Sequence, residues 1–367
     1  MGGQGDGLGI IEKLRPAVAR AKRRYEIWRL AGLHRYRLSR LPGGAKLDET
    51  TRREALVFVD SLVGGYRDLG WHEFYASSNG RASPYYLPSD IFYALVLPVM
   101  NPASRVTILQ DKNHFDLISA WPPLPTTVGR LMDGRLLDRH FAPTTLAEIV
   151  RQAPVDALLV VKPSRITGSG KGLALVTPKA LGAELEVRTD AIIQMPIVQH
   201  PDLAALNPSS VNTIRFISYR TLAGDILPLA AMLRIGRAGQ AVDNTGAGGL
   251  FCGIADDGTL QPVGYDIKHR RYQAHPDSGI RLAGHRIPGF AAVRAALLEA
   301  HRRTPWIDFG TWDAAIDTSG QPVMVEVNVG TTIRGPQVAH GPIFEPVLDD
   351  IRRRIGKRRY SRLAGFL

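Results

Sequence analysis

Apolar residues recur along this chain in two rhythms. Near the start, Ile11, Leu14, Val18, Ala21, Tyr25 and Trp28 are spaced by alternating threes and fours, with arginines and lysines between them. On a helix that spacing makes one apolar stripe. The segment therefore reads as a basic amphipathic helix, docked on its own protein or lying against a membrane surface or a partner. Residues 50–84 read as helix and then loop. Residues 105–109 (RVTIL) read as a buried strand, 111–121 (DKNHFDLISAW) as a short helix, and the following PPLPTTVG as a loop. Thr145 followed by Glu148 is a capping box that opens a helix running to about Ala153.

From Ala157 the rhythm shortens to that of strands. Strands are expected at 157–164, 173–177, 191–199, 213–221 and 227–236, then as a pair running from Trp312 to Asn328. Residues 290–305 form an amphipathic helix that stops at Pro305. No internal repeat and no low-complexity tract is present. The order predicts an α+β body with mainly antiparallel strands.

The last strand pair carries chemistry. Side chains alternate between the faces of a strand, so Val323, Val325 and Val327 are expected in the core, with Met324, Glu326 and Asn328 on the other face. Residues 317–320 (DTSG) form a turn, which lets Asp313 share the face of Glu326 and Asn328. Three hard oxygen donors on one spot suit magnesium, which takes few carboxylates and fills its octahedron with waters and phosphate oxygens.

A second signal lies upstream. Residues 158–176 give a strand, Lys162 near its end, a loop with Gly168, Gly170 and Gly172, and a second strand. The glycines free the backbone to close over a ligand and to aim N–H groups at anions. The stretch GSGKG is not a P-loop. The first glycine of that motif would fall on Arg165, the residue after Lys171 is Gly172, and a strand follows in place of a helix. The strand from Ala191 leads into a linker whose backbone could meet an adenine edge, with Gln194 as a side-chain contact.

Charge refines the picture. The 367-residue chain carries a net +12. Between Lys13 and Lys46 there are 11 basic residues and one acid, and between Arg352 and Arg362 there are 7 basic residues and none, which leaves −5 for the rest. Basic ends on a mildly acidic body argue against a nucleic-acid groove in that body and leave a surface contact through the ends open. One cysteine, Cys252, excludes an internal disulfide and fits a reducing compartment. With no secretion signal and no apolar run of about 18 residues, the expected location is cytoplasmic, free or peripheral to a membrane.

Together, the DK pair ahead of a helix, the proline–threonine loop, the strand lysine before a glycine loop, the hinge strand and the Asp…Glu-x-Asn set resemble the ATP-grasp superfamily. The resemblance runs from about residue 105 to about residue 350. Within it DNTGAGGL (243–250), SVNTIRF (210–216) and the N-terminal LHRYRL (33–38) resemble the sugar-transfer-associated branch, linked to polysaccharide and related biosynthesis.

The resemblance implies an ATP-grasp fold in which ATP lies between two α+β subdomains, one a mobile lid, behind an N-terminal helical region. It implies a basic helical segment at 1–84, a pre-ATP-grasp region at 85–155, a lid at 156–200, a metal-bearing subdomain at 201–350 and a basic tail at 351–367. Asp313, Glu326 and Asn328 match magnesium ligands, with Glu326 bridging two ions. Lys162 and Lys112 match phosphate-binding lysines. Gly168, Ser169, Gly170, Lys171 and Gly172 match the lid loop, and Gln194, Met195, Pro196 and Ile197 the adenine hinge, where Gln194 stands in place of the family's acid. Arg215 and Arg234 match residues that hold the γ-phosphate. Asn244, Gly248 and Gly249 match a substrate loop, and Arg334 a grip on an anionic acceptor. His200, His285, His340 and Cys252 read as structural.

The implied reaction is ADP-forming ligation of a carboxylate to an amine through an acyl phosphate. Its substrates would be small molecules, peptides or glycans, with no nucleic-acid partner and a homodimer as a common arrangement. A phosphotransferase using the same pocket, and a non-catalytic scaffold using its basic ends, are the alternatives.

Overall fold

The computed structural model describes residues 45–118, 122–154, 157–165 and 172–361, together with Val18, Ala21, Tyr25, Trp28 and Arg29. It divides into two compact units. One comprises Ser104–Arg220 and Ile226–Thr331; the other comprises Met1–Ala103, Thr221–Asp225 and Thr332–Leu367.

The first unit is built on two antiparallel sheets. The smaller contains β1 (Thr127–Met132), β2 (Arg135–Leu137), β3 (Leu159–Lys162), β4 (Ala174–Val176) and β5 (Ala191–Gln194) in the order β2-β1-β5-β3-β4. Leu159 and Val161 of β3 and Ala191 and Ile193 of β5 are buried with Ile149 of helix Leu146–Gln152 and with Leu181 and Leu185 of helix Leu181–Glu186. Period-two alternation then puts Lys162 and Gln194 on the opposite face. The capping box of Thr145 and Glu148 is present and starts the first of these helices. β5 stops at Gln194, since Pro196 has no N–H for a further ladder bond.

The larger sheet has β6 (Thr213–Arg220), β7 (Ile226–Ile235), β8 (Leu250–Ile254), β9 (Leu260–Tyr265), β10 (Arg271–Tyr272), β11 (Phe309–Ile316) and β12 (Pro322–Asn328), in the order β10-β9-β8-β7-β6-β11-β12. Helix Phe290–Arg302 lays Phe290, Val293 and Leu297 on one face, against a core that includes Ile214, Phe216, Leu233, Trp312 and Ala314. The intervening residues Arg215, Arg234 and Asp313 therefore share the other face.

Three expectations are corrected. Residues 105–109 are not a strand: Ala103–Val106 is helical and Thr107–Gln110 is a 3-10 turn. Val106 and Leu109 are buried while Ile108 is 43% exposed, a spacing of three that a helical turn satisfies and a strand does not. β1 begins inside the proline–threonine stretch read as loop. The alternation along β12 breaks at Val325. Asp313 opposes Glu326, but the next residue, Ala314, opposes Met324, so Val325 is the extra residue of a β-bulge. Met324 consequently enters the core at 1% exposure, and Val323 and Val325 stay half-buried.

The small sheet starts at Thr127, so a subdomain boundary at 156 would fall between its second and third strands, and 332–350 cluster with the second unit.

The second unit is helical, with Glu49–Leu62, Gly70–Asn79, Ser89–Met100, Arg334–His340 and Leu348–Ser361. Buried Gln337 ties three of its segments together. Its Nε2 donates to Tyr75 Oη (2.8 Å) and Leu87 O (2.9 Å), and its Oε1 accepts from Leu87 N (3.0 Å). Among the described residues no single helix is long and apolar enough to cross a membrane.

Candidate active site

Three neighbouring strands place charged residues in one row. Asp313 on β11 lies directly opposite Arg215 on β6 and Glu326 on β12. Arg215 grips the Asp313 carboxylate with two bonds, Nε–Oδ1 at 2.8 Å and Nη2–Oδ2 at 2.6 Å. Arg234, one strand further, adds Nη1–Oδ2 at 3.0 Å. Asn328 Nδ2 donates to Asp313 Oδ2 at 3.1 Å and to Glu326 Oε1 at 3.0 Å. Crowding by protein works against the Arg215 charge, yet the attraction of Asp313 outweighs it and raises its pKa further.

Two lysines reach the same place. Lys112, at the start of a 3-10 turn, sits 3.2 Å from Glu326 Oε2, and its main chain is anchored by donation to Ser164 O at 2.8 Å. Burial favours the neutral form of Glu326, but Lys112, Asn328 and Arg215 reverse this and hold its carboxyl down at about 2. Lys162 lies within the field of both Lys112 and Glu326. Burial and the like charge of Lys112 push its ammonium down to about 8, against the pull of Glu326. The pull of Glu326 does not offset this, and an incoming phosphate would favour the charged form.

The donor set decides how well magnesium fits. Glu326, with 26% of its side chain exposed, and Asn328 offer hard oxygens at the surface of the row. Asp313 is 1% exposed and already accepts from two arginines and Asn328. The first two residues fit a divalent cation as they stand; Asp313 fits only by releasing an arginine. Among the described residues no group of three or more His, Cys, Asp or Glu side chains is placed to hold a metal ion.

On the small sheet, Gln194 is 5% exposed, and its Nε2 donates to Pro125 O and Thr127 Oγ1, both at 3.3 Å. Its Oε1 is buried with no partner. An orphaned acceptor of this kind fits an exocyclic amine. Met195 spends its N–H on Thr126 O (2.8 Å) and Pro196 has none, so Ile197 carries the remaining main-chain donor of the hinge. A cavity of about 490 Å³ opens beside these residues, lined by Asp116, Ile118, Leu124, Thr127, Arg139 and His140 among others; none of the charged row lines it. Gly168, Ser169, Gly170 and Lys171 lie outside the described residues. Gly172 has φ +79, and a Cβ there would meet Pro163 Cγ at 2.9 Å.

The loop after β7, expected to be a substrate loop, has its backbone occupied. Asn244 Oδ1 accepts from Gly246 N, Asn244 O from Ala247 N and Gly249 N, and Thr245 O from Gly248 N. Gly248 and Gly249 serve the turn: the first has φ +94, and a Cβ on the second would lie 2.6 Å from Asp243 O. The residue of this loop that joins the charged row is Asp243, which sequence reasoning missed. Its Oδ1 accepts from Arg234 Nη2 at 2.8 Å, and its Oδ2 from Thr213 N at 3.0 Å and from Thr213 Oγ1. Burial raises its carboxyl pKa, partly offset by Arg234 and Thr213. Only its place beside Asn244 could have drawn attention to it. Arg334 lies in the other unit, at the start of helix Arg334–His340.

Residues 179–353 match the family model described as sugar-transfer associated ATP-grasp. Over those residues the chain is similar to that family. The matched ATP-grasp stretch is just under half of the chain; it contains Gln194, Arg215, Arg234, Asp243, Asp313, Glu326 and Asn328, and begins after Lys112, Lys162 and the glycine loop. Solved structures similar to it include a biotin carboxylase–β,γ-ATP complex from Campylobacter jejuni, 12% identical with a TM-score of 0.43, covering 71% of this chain and 48% of that one. The biotin carboxylase domain of Hydrogenobacter thermophilus 2-oxoglutarate carboxylase, with MgADP and bicarbonate, is 14% identical with a TM-score of 0.42, covering 86% and 57%. D-alanine–D-alanine ligase from Bacillus anthracis is 14% identical with a TM-score of 0.38, covering 69% and 71%. The chain thus spans about half the length of the two carboxylase structures. None of the curated proteins matches it.

Proposed function

We propose that this chain is an ATP- and magnesium-dependent ligase that joins a carboxylate to an amine through an acyl phosphate, releasing ADP and phosphate. The observation that carries the reading is the row Arg234–Arg215–Asp313–Glu326, which lies inside the segment similar to an ATP-grasp family, with Lys112 and Lys162, from outside that segment, beside it. Four cations around two exposed-edge carboxylate and amide oxygens suit a polyphosphate and its counter-ions.

The chemistry needs no protein nucleophile. A substrate carboxylate oxygen bonds to the γ-phosphorus as the bond to the β–γ bridging oxygen breaks, and ADP leaves. An amine then bonds to the acyl carbon, phosphate leaves with the carbon–oxygen bond pair, and the amine sheds a proton. Arg215 and Lys162 neutralise the oxygens of the transferring group, and Arg234 fixes Arg215's partner in place. Gln194 Oε1 would accept from the adenine amino group. Glu326 and Asn328, joined by Asp313 once an arginine leaves it, would hold magnesium, with two ions expected, and the metal would supply positive charge against the phosphates. The substrates belong to polysaccharide, peptide or natural-product biosynthesis, and the buried single thiol of Cys252 suits a cytoplasmic site of action.

The test is ADP release with magnesium, ATP and pooled acids and amines. Release that requires both an acid and an amine supports ligation. A phosphorylated small molecule with no amine requirement would replace this reading with phosphotransfer, and absence of nucleotide binding by calorimetry would end both.

A further inference from the structure

Val18, Ala21, Tyr25 and Trp28 are all helical and all exposed, with Val18 at 64%, Tyr25 at 59% and Trp28 at 63%. Steps of three, four and three put them on one side of the helix. The Tyr25 and Trp28 rings lie 6.0 Å apart, so the side ends in an aromatic pair. A face of this size left in water is costly at about 25 cal/mol per Å². Nothing in the described residues covers it. Ile11 and Leu14, which extend the stripe in sequence, lie outside the described residues.

We propose that this face docks the protein on an anionic lipid surface. Charge selects that occupant. The sequence from Lys13 to Lys46 carries 11 basic residues against Glu26 alone, and Arg20, Lys22, Arg23 and Arg24 fall between the apolar positions. A second copy would bring the same positive charge against itself. A nucleic acid would pair with the cations and leave the apolar side chains wet. An anionic bilayer accepts both: lysines and arginines are drawn to its headgroups, and tyrosine and tryptophan settle at the boundary between headgroup and acyl chain. Neither attraction suffices alone, as a single short apolar stripe binds weakly and a purely electrostatic contact is screened by salt. The proposal is independent of the ligase reading: vesicle binding needs no nucleotide.

The full chain is mixed with phosphatidylcholine vesicles, with and without about 30% phosphatidylserine, and bound protein is measured by cosedimentation. Two triple variants are run beside it: Val18→Ser with Tyr25→Ser and Trp28→Ser, and Lys22→Glu with Arg23→Glu and Arg24→Glu. All six positions lie outside the candidate active site, and melting curves matched to the wild type show that the fold is retained. Binding to phosphatidylserine vesicles is expected, at least about tenfold weaker on phosphatidylcholine alone and weakened at least about tenfold by either triple change. Tryptophan emission should shift to the blue with lipid, less so in Trp28→Ser. The proposal is overturned by no binding at low salt, or by binding that survives the apolar triple change. It is also overturned by size-exclusion profiles in which that change turns a dimer into a monomer with lipid binding unaltered.

Discussion

Arg215 and Asp313 face each other across adjacent strands and are joined by two hydrogen bonds of 2.8 and 2.6 Å, with Arg234 closing on the same carboxylate. The aspartate is 1% exposed. Removing its charge takes Arg215's carboxylate partner away in a poorly solvated place and leaves Arg234 with Asp243 alone. Asp313→Asn, which keeps the shape, should therefore lower folding stability by about 2–4 kcal/mol, as for breaking one side of a buried ion pair. Urea unfolding monitored by circular dichroism checks it; an unchanged midpoint would mean the arginines find other partners.

Glu326 is less enclosed, but its neutral isostere keeps one acceptor oxygen where the carboxylate offers one each to Asn328 and Lys112. Glu326→Gln should lower stability by about 1–3 kcal/mol near neutral pH, while turnover drops at least about 100-fold. The pH dependence has a definite sign. The folded carboxyl is held at about 2 against an ordinary 4.5. Its stabilising contribution is whole above pH 4.5 and is lost as pH falls toward 2, so the stability difference between wild type and variant should shrink across that window.

Lys162 makes a calorimetric prediction. With its ammonium held down to about 8, the free protein carries only about half a proton there at pH 8. Polyphosphate beside it favours the charged form. Nucleotide binding at pH 8 should take up about half a proton, seen as a dependence of binding enthalpy on the ionisation enthalpy of the buffer. Lys162→Met should abolish that uptake, and affinity in the wild type should weaken as pH rises past 8.

Asp243 touches the row only through Arg234, and so it acts as a positioning residue. Asp243→Asn should lower kcat about tenfold while the nucleotide Kd changes less than about twofold, since Arg234 keeps its charge but loses one of two carboxylates that aim it. A matched loss in affinity and kcat would make its role one of general stability. Partial recovery in Asp243→Glu would support aiming.

Local signals were legible where a pattern repeats or a turn is marked. The capping box at Thr145, the helix over 290–302 and the hairpin through Asp317–Gly320 are of this kind, and the α+β class with antiparallel sheets follows from them. Residues 105–109 misled because β-branched residues favour strands only when a sheet is there to receive them. β1, β8 and β9 escaped notice because Gly129, Gly253, Pro262 and Gly264 interrupt their strand pattern. Asp243 was hidden because its partners Thr213 and Arg234 are brought together by the β6–β7 pairing. The polar row itself was readable from Asp313, Glu326 and Asn328, whereas the arginines' hold on Asp313 depends on three strands lying side by side.

The bulge at Val325 splits β12 into two independent lengths. Before it, Pro322 and Met324 answer to packing; after it, Glu326 and Asn328 answer to charge. If Val325 were paired regularly instead, Met324 and Glu326, two positions apart, would share one face, and either the acid would turn inward or the methionine outward. The extra residue thus sets the phase between scaffold and chemistry: it lets an apolar side chain and an acid two positions apart along the chain face opposite ways.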